Sequence, residues 1–134
     1  MSVGATESVI FSEFLEPSRP LGPDEVRRTM VAAIGPGAIE FRRTIEQAVG
    51  TGSGDISVRA GIGLFFLGQH QRAIDALAGC NDGVGRFYRA QALSTLGRHA
   101  EAAEDFQQAA KFGYQPTESK LREAGEMRLS GDLE

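Results

Sequence analysis

The two histidines of this chain are the side chains best suited to acid–base catalysis or to metal binding. His70 and His99 each stand two residues after a glycine, in Leu-Gly-Gln-His and Leu-Gly-Arg-His. A metal site needs further ligands at matching spacing, and a general base needs a reacting group within hydrogen-bond reach. The sequence arranges no such partners around either histidine. We therefore interpret both as packing residues, and we predict that the protein is not an enzyme and holds no metal and no cofactor.

A glycine-rich run, Gly-Thr-Gly-Ser-Gly at 50–54, could bind a phosphate group. Phosphate-binding loops of the P-loop type follow a strand and end in Lys-Ser or Lys-Thr. Here the run follows a predicted helix and contains no lysine. We interpret it as a linker between two helical regions.

Two segments of the chain repeat one pattern of residue types. Residues 64–73 and 93–102 each contain two leucines three apart, then a glycine, a histidine two residues later and an alanine three residues further on. Leu77 and Phe106 occupy equivalent later positions. Self-similarity of this kind indicates one helix–turn–helix unit used more than once.

The small residues of this pattern predict where helices turn and where they approach each other. Gly68 and Gly97 follow a helix end, where a positive φ is common. Gly61 and Ala90 stand at matching places, and their size allows the partner helix to come close. Because glycine in a helix costs about 1 kcal/mol relative to alanine, Gly61 is favourable only if tight packing compensates.

Apolar spacing and turn residues predict seven helices and no strand. Pro23, Asp24 and Glu25 indicate a helix start, and Thr117 is predicted to cap the last helix. The predicted helices are 23–34, 38–49, 55–67, 70–79, 84–96, 99–112 and 117–130. The apolar stripe of the first of them comprises Val26, Met30, Ala33 and Ile34.

The segment 1–22 has less pattern than the rest of the chain. Its apolar residues Ile10, Phe11, Phe14 and Leu15 have a spacing that suits two amphipathic turns after Ser8. Three roles remain open for this patch. It caps the end of the helical stack, folds into a groove of the same chain, or exchanges between two copies.

Composition and charge are those of a globular protein in a reducing compartment. The chain is 41% hydrophobic and carries a net charge of −4, which disfavours nucleic acid and anionic membranes as partners. One cysteine, Cys80, excludes an internal disulfide, and no secretory signal or membrane span is visible. We predict a cytoplasmic location. The last two residues, 133–134 (Leu-Glu), resemble the remnant of an affinity tag, so we expect the natural chain to continue.

The repeated segments resemble the tetratricopeptide repeat family. The matching residues of the second copy are Ala90, Leu93, Gly97, Ala102, Phe106, Ala109 and Pro116, and those of the first are Gly61, Leu64, Gly68, Ala73 and Leu77. The resemblance covers 55–131. It implies an all-α fold in which antiparallel helix–turn–helix repeats stack as a short right-handed α-solenoid.

The same resemblance implies a division of the chain. Residues 55–131 would form about two full repeats and a final capping helix, preceded by a degenerate helix pair at 23–50 and a partly ordered or capping segment at 1–22. The two copies are offset by 29 residues, whereas the family period is about 34. We therefore expect the second helix of the first copy to be clipped.

The function that the resemblance implies is a non-catalytic scaffold that binds a protein or peptide on its concave face. The first helix of each repeat lines that face. The residues so placed are Val58, Ile62, Phe65, Phe66, Phe87, Gln91, Ser94, Thr95, Leu121, Arg122 and Arg128. Phe65 and Phe66 have two open interpretations, as anchors for a partner or as filling between repeats.

The sequence also bears on two other partners, a C-terminal carboxylate and a second copy of the chain. Family members that grip a C-terminal carboxylate use Lys, Asn and Arg on these helices. Here Val58, Ile62 and Glu118 replace the expected residues and only Arg122 fits, so that ligand is disfavoured. Self-assembly into a homodimer, through the end beyond Gly131 or through the N-terminal segment, is the alternative function.

Overall fold

The fold is all-α throughout residues 4–51 and 54–131, which are the residues that the computed structural model describes. No strand occurs in those ranges, as predicted. Gly52 and Ser53 of the glycine-rich run, and residues 133–134, lie outside the described residues. The helices are α1 (Gly4–Leu15), α2 (Pro23–Ile34), α3 (Ala38–Thr51), α4 (Asp55–Phe66), α5 (His70–Ala76), α6 (Gly83–Thr95), α7 (His99–Lys111) and α8 (Pro116–Ser130).

Helix α1 is the largest departure from the sequence prediction. It spans 12 residues from Gly4, whereas the apolar spacing indicated only two turns after Ser8. Phe11 and Phe14 are buried, and α1 packs against α2, α3 and α4. The first half of the helix lacks an apolar stripe, which is why the pattern did not reveal it.

The helix starts agree with the sequence at α2 and differ at α8. Glu25 accepts a hydrogen bond from the backbone N–H of Gly22 at 2.9 Å, so α2 begins at Pro23 as predicted. Helix α8 begins one residue earlier than expected. Its cap is Gln115, with a φ of 41°, and Pro116 is the first helical residue. The prediction that Thr117 caps α8 is therefore wrong.

Gly68 and Gly97 end their helices with positive φ, as predicted. Their φ values are 78° and 82°. In both turns the next residue closes the helix end, because Gln69 N–H donates to the carbonyl of Leu64 and Arg98 N–H donates to that of Leu93, each at 2.9 Å. These turns join the helix pairs α4–α5 and α6–α7, whose members pack on each other.

Close approach through small residues is confirmed in the first copy. A Cβ added to Gly61 would lie 2.9 Å from Cγ of the fully buried Leu77, so α4 and α5 pack at glycine distance. The expected clipping is also confirmed. Helix α5 has 7 residues and its counterpart α7 has 13.

Nine of the ten aromatic side chains form one connected cluster through the core. Neighbouring ring centroids lie between 5.0 and 6.4 Å apart, with tilted or edge-on geometry. The cluster comprises Phe11, Phe14, Phe41, Phe66, Phe65, Tyr88, Phe87, Phe106 and Tyr114. It therefore links α1, α3, α4, α6 and α7 into one core.

Two buried charged groups are satisfied inside this framework. The carboxylate of Asp105 on α7 is 2% exposed and binds Arg86 Nη1 at 2.9 Å and Arg89 Nη1 at 2.7 Å, both from α6. Arg59 on α4 is 8% exposed. Its guanidinium donates to the backbone carbonyls of Phe14 and Arg19 in the N-terminal segment. Burial lowers the pKa of Arg59, and nearby carboxylates oppose that effect.

Candidate functional site: a cleft between α2, α6 and α8

Three helices that are distant in the sequence line one open cleft with a volume of about 220 Å³. Helix α2 contributes Pro23, Val26, Arg27 and Met30. Helix α6 contributes Phe87, Tyr88 and Gln91. Gln115, Glu118 and Arg122 come from the start of α8.

The floor of the cleft is aromatic and rigid. The ring of Phe87 is 3% exposed and lies 5.4 Å from that of Phe106 and 5.2 Å from that of Tyr114, between centroids. Tyr88 adjoins it at 5.3 Å. Burial raises the pKa of Tyr88, so its hydroxyl stays protonated and can donate a hydrogen bond.

Arg122 covers one end of this floor. Its guanidinium carbon lies 5.4 Å from the centroid of Phe87, within the range of a cation–π contact. Its Nε also donates to Oε2 of Glu118, one turn earlier, at 2.7 Å. The two contacts fix the direction of the Arg122 side chain.

Arg27 on the opposite wall has no such anchor. It forms no ion pair with any residue that the structure describes. An aromatic floor bounded by this guanidinium and by the amide of Gln91 suits a side chain of a peptide or protein, with both apolar contact and hydrogen bonding. The described part of the chain contains no group of three His, Cys, Asp or Glu side chains that could hold a metal ion.

Among the described residues, a serine, a histidine and a carboxylate lie together, but not in the order of a catalytic triad. Ser94, His99 and Glu126 meet where α8 crosses the α6–α7 turn. Ser94 Oγ donates to Glu126 Oε2 at 2.8 Å, and His99 Nδ1 lies 2.7 Å from Glu126 Oε1. The serine therefore bonds to the carboxylate and not to the imidazole, which is not the Ser–His–Asp order of a catalytic triad.

The other histidine packs as predicted. The ring of His70 lies 5.5 Å from that of Phe65. Its Nδ1 is buried and has no hydrogen-bond partner among the described residues. The two histidines occupy matching sequence positions, but among the described residues it is His99 that has a carboxylate within hydrogen-bond distance.

Three of the predicted binding residues come together in the cleft, and these are Phe87, Gln91 and Arg122. Phe65 and Phe66 are half-buried within the aromatic cluster, where both contact Tyr88 of the next copy. This placement favours filling between the copies over an exposed anchor.

The remaining predicted residues lie elsewhere. Ile62 is fully buried, so its assignment to an open binding face is wrong. Val58 is half-buried and shares a small cavity with Leu21 of the N-terminal segment. Ser94 is used in the contact with Glu126. Thr95, Leu121 and Arg128 are exposed outside the cleft.

Sequence reasoning missed the contribution of α2. The predicted apolar stripe comprised Val26, Met30, Ala33 and Ile34. The buried residues are Val26, Thr29 and Ala33, while Ile34 is 74% exposed. The spacing of Pro23, Val26, Arg27 and Met30 places them on one face. That spacing alone could not tell a core-facing helix from one that lines a cleft.

Comparisons of the chain with protein-family models, with curated proteins and with solved structures found no match. Among the described residues, none of the helices has the length and apolar character needed to cross a membrane.

Proposed function

We propose that the chain is a non-catalytic scaffold of the tetratricopeptide repeat type, which binds a peptide or protein partner in the cleft between α2, α6 and α8. The observation that carries the proposal is the cleft itself, with the aromatic floor of Phe87 and Tyr88 and the guanidinium of Arg27, which has no ion-pair partner among the described residues. Helix pairs joined by positive-φ glycines support a stacked-repeat fold. A cytoplasmic location belongs to the same proposal.

The partner is identified by cross-linking from inside the cleft. A photoreactive phenylalanine replaces Gln91 in the cleft, or the exposed Glu104 on α7 as the control position. We expect a partner that is captured from position 91 and not from position 104, and mass spectrometry identifies it. Equal capture from both positions would reject the cleft as the binding site.

The captured partner is then titrated with the purified protein by calorimetry. Arg27→Glu reverses the charge of this wall residue, and we expect it to weaken binding by about fivefold, or roughly 1 kcal/mol. Arg42→Glu is the matched control, because Arg42 is an exposed arginine of α3 that does not line the cleft. Equal affinities for both variants would contradict the role of Arg27.

A second function, homodimer formation, is favoured by a different surface. Val31, Ile34 and Ile39 flank the α2–α3 turn and are 60%, 74% and 76% exposed. Neighbouring apolar side chains with this exposure are typical of an interaction surface. We expect the mass measured by light scattering to rise toward a dimer with concentration.

The Ile34→Asp variant tests whether that surface forms the dimer. We expect it to remain a monomer at every concentration. Leu121→Asp changes a residue on α8 that is 66% exposed, and it should dimerise like the unchanged protein. If the measured mass of the wild-type protein did not change with concentration, the homodimer proposal would be wrong.

A further inference from the structure

We propose that the short helix α5 leaves a second binding site on this protein, a notch beside α4 that takes a segment of a partner protein carrying an aromatic and a basic side chain. The notch shares no lining residue with the cleft between α2, α6 and α8. The site is therefore separate from the proposed function and would remain if the cleft bound nothing.

The notch consists of two open cavities that adjoin along α4. Their volumes are about 400 and 500 Å³, and Ser57 of α4 and Ala76 of α5 line both of them. The first cavity extends to Val49 near the end of α3, which is 38% exposed. The second extends to the turn between α5 and α6 and is lined by Val58. Together they form a continuous depression that could hold a short segment of another chain.

The notch is present because α5 is shorter than its counterpart α7. Helix α5 has 7 residues and ends at Ala76, whereas α7 has 13 and continues to Lys111. Gly79, with a φ of 77°, then turns the chain toward α6. In the second copy residues 112–115 follow α7 before α8 begins, and α6 begins at the position that matches Phe112. The first copy therefore lacks about two helical turns and a loop.

Two glycines at matching positions show what this difference leaves open. A Cβ added to Gly83, at the start of α6, would lie 2.5 Å from the Cβ of Tyr114 and 3.2 Å from that of Phe112. A Cβ added to Gly54, just before α4, would meet no atom of the described residues within 4 Å. The place beside α4 that matches the position of Tyr114 is therefore open.

The surface at this place suits an aromatic side chain. The counterpart of Val58 in the second copy is Phe87, which is 3% exposed and whose ring centroid lies 5.2 Å from that of Tyr114. Val58 itself is half-buried and lines the notch. An aromatic side chain from a partner would cover Val58 as Tyr114 covers Phe87, and aromatic burial contributes strongly to the stability of interfaces.

The charge of the notch favours a basic residue beside that aromatic side chain. Three carboxylates line it, and these are Asp55, Asp75 and Asp82. None of the three forms an ion pair among the described residues. Arg72 also lines the notch but binds Glu46 at 2.7 Å, and Arg59, in the small adjoining cavity, donates to backbone carbonyls. A lysine or arginine of the partner would complement the remaining negative charge.

The test uses a fluorescein-labelled peptide with the sequence of residues 106–116, which contains Lys111 and Tyr114 and spans the segment that packs on α6 in the second copy. Ser57→Trp fills the notch from the wall that its two cavities share. Thr95→Trp is the matched control, at an exposed position outside the notch. By fluorescence anisotropy we expect the wild-type and Thr95→Trp proteins to bind the peptide equally, and the Ser57→Trp protein to bind it more weakly by about tenfold or more.

A second pair of variants tests the charge of the notch at exposed positions. Asp75 and Glu104 match each other in the two copies, and of the two it is Asp75 that lines the notch. We expect Asp75→Lys to weaken binding of the peptide by about fivefold and Glu104→Lys to leave it unchanged. This pair decides the outcome if the Ser57→Trp protein does not fold.

Four results would each overturn the proposal. These are absence of binding to the wild-type protein, equal binding by the wild-type and Asp75→Lys proteins, equal binding by a folded Ser57→Trp protein, and unchanged binding of a peptide that carries Tyr114→Ala. A dimer that Ser57→Trp converts to a monomer in light scattering would assign the notch to a second copy instead. The Arg27→Glu protein should bind the peptide like the wild type, so a failure of the notch and a failure of the cleft are distinguishable.

Discussion

Replacing Phe106 by alanine should lower the free energy of unfolding by about 3–5 kcal/mol, as for other large-to-small changes in a packed core. The ring is 1% exposed and lies at the junction of α6 and α7, where it supports Phe87 from behind. Removing it leaves a cavity that the surrounding helices cannot close completely. Urea titration followed by circular dichroism measures the change.

Phe112→Ala is the matched control for this experiment. Phe112 caps the same helix but is 49% exposed, so its removal should change the free energy of unfolding by less than about 1 kcal/mol. If the two variants had equal stability, Phe106 would not be a core residue, and the alignment of the two copies would be wrong. The same comparison also tests the support of the cleft floor.

Asp105→Ala should lower the free energy of unfolding by a similar amount, for an electrostatic reason. The substitution leaves the guanidinium groups of Arg86 and Arg89 partly buried without their carboxylate. Removing one member of a buried ionic group typically costs 3–5 kcal/mol. The arginine side chains keep 25% and 21% of their surface exposed, so water can partly solvate their charges after the substitution. We therefore expect the free energy of unfolding to fall by about 3 kcal/mol.

Denaturant titration again provides the measurement. Glu104→Ala, which removes the neighbouring exposed carboxylate, should have a small effect. Arg89→Ala should cost less in the Asp105→Ala protein than in the wild type, because the shared contact is already lost. If the losses of stability from Arg89→Ala and Asp105→Ala simply added in the double variant, the three side chains would not act as one group.

The sequence predicted the local structure well wherever a local rule determined it. Gly68 and Gly97 end helices because the turn requires a positive φ that glycine adopts without strain. Pro23 and Glu25 define the start of α2 by completing the first turn. The short α5 follows from the reduced spacing between the copies.

The arrangement of the N-terminal helices could not be predicted in the same way. An apolar stripe shows that a helix packs on something, but it does not identify the surface. Helix α1 packs against both α3 and α4, whereas α2 lines the cleft opposite Phe87. That placement depends on long-range contacts, such as those of Arg59, which no local spacing encodes.

For the same reason, only part of the candidate site could be predicted from the sequence. Phe87, Gln91 and Arg122 follow from their places on the first helices of the predicted repeats. Arg27 and Met30 belong to α2, and no pattern in the sequence indicated that α2 lines the same cleft as α6 and α8. Ile62 was misplaced because position on a helix does not show which of two faces its neighbours will cover.

The contacts of Arg59 are made to main-chain oxygens of the N-terminal segment and not to its side chains. Substitutions at the exposed position 19 can therefore leave its hydrogen bond with Arg59 intact, provided that the backbone keeps its path. Replacement of Arg59, in contrast, would remove all of these hydrogen bonds. Across evolution we would expect the exposed residues 16–20 to diverge in sequence faster than Arg59, which holds their backbone in place.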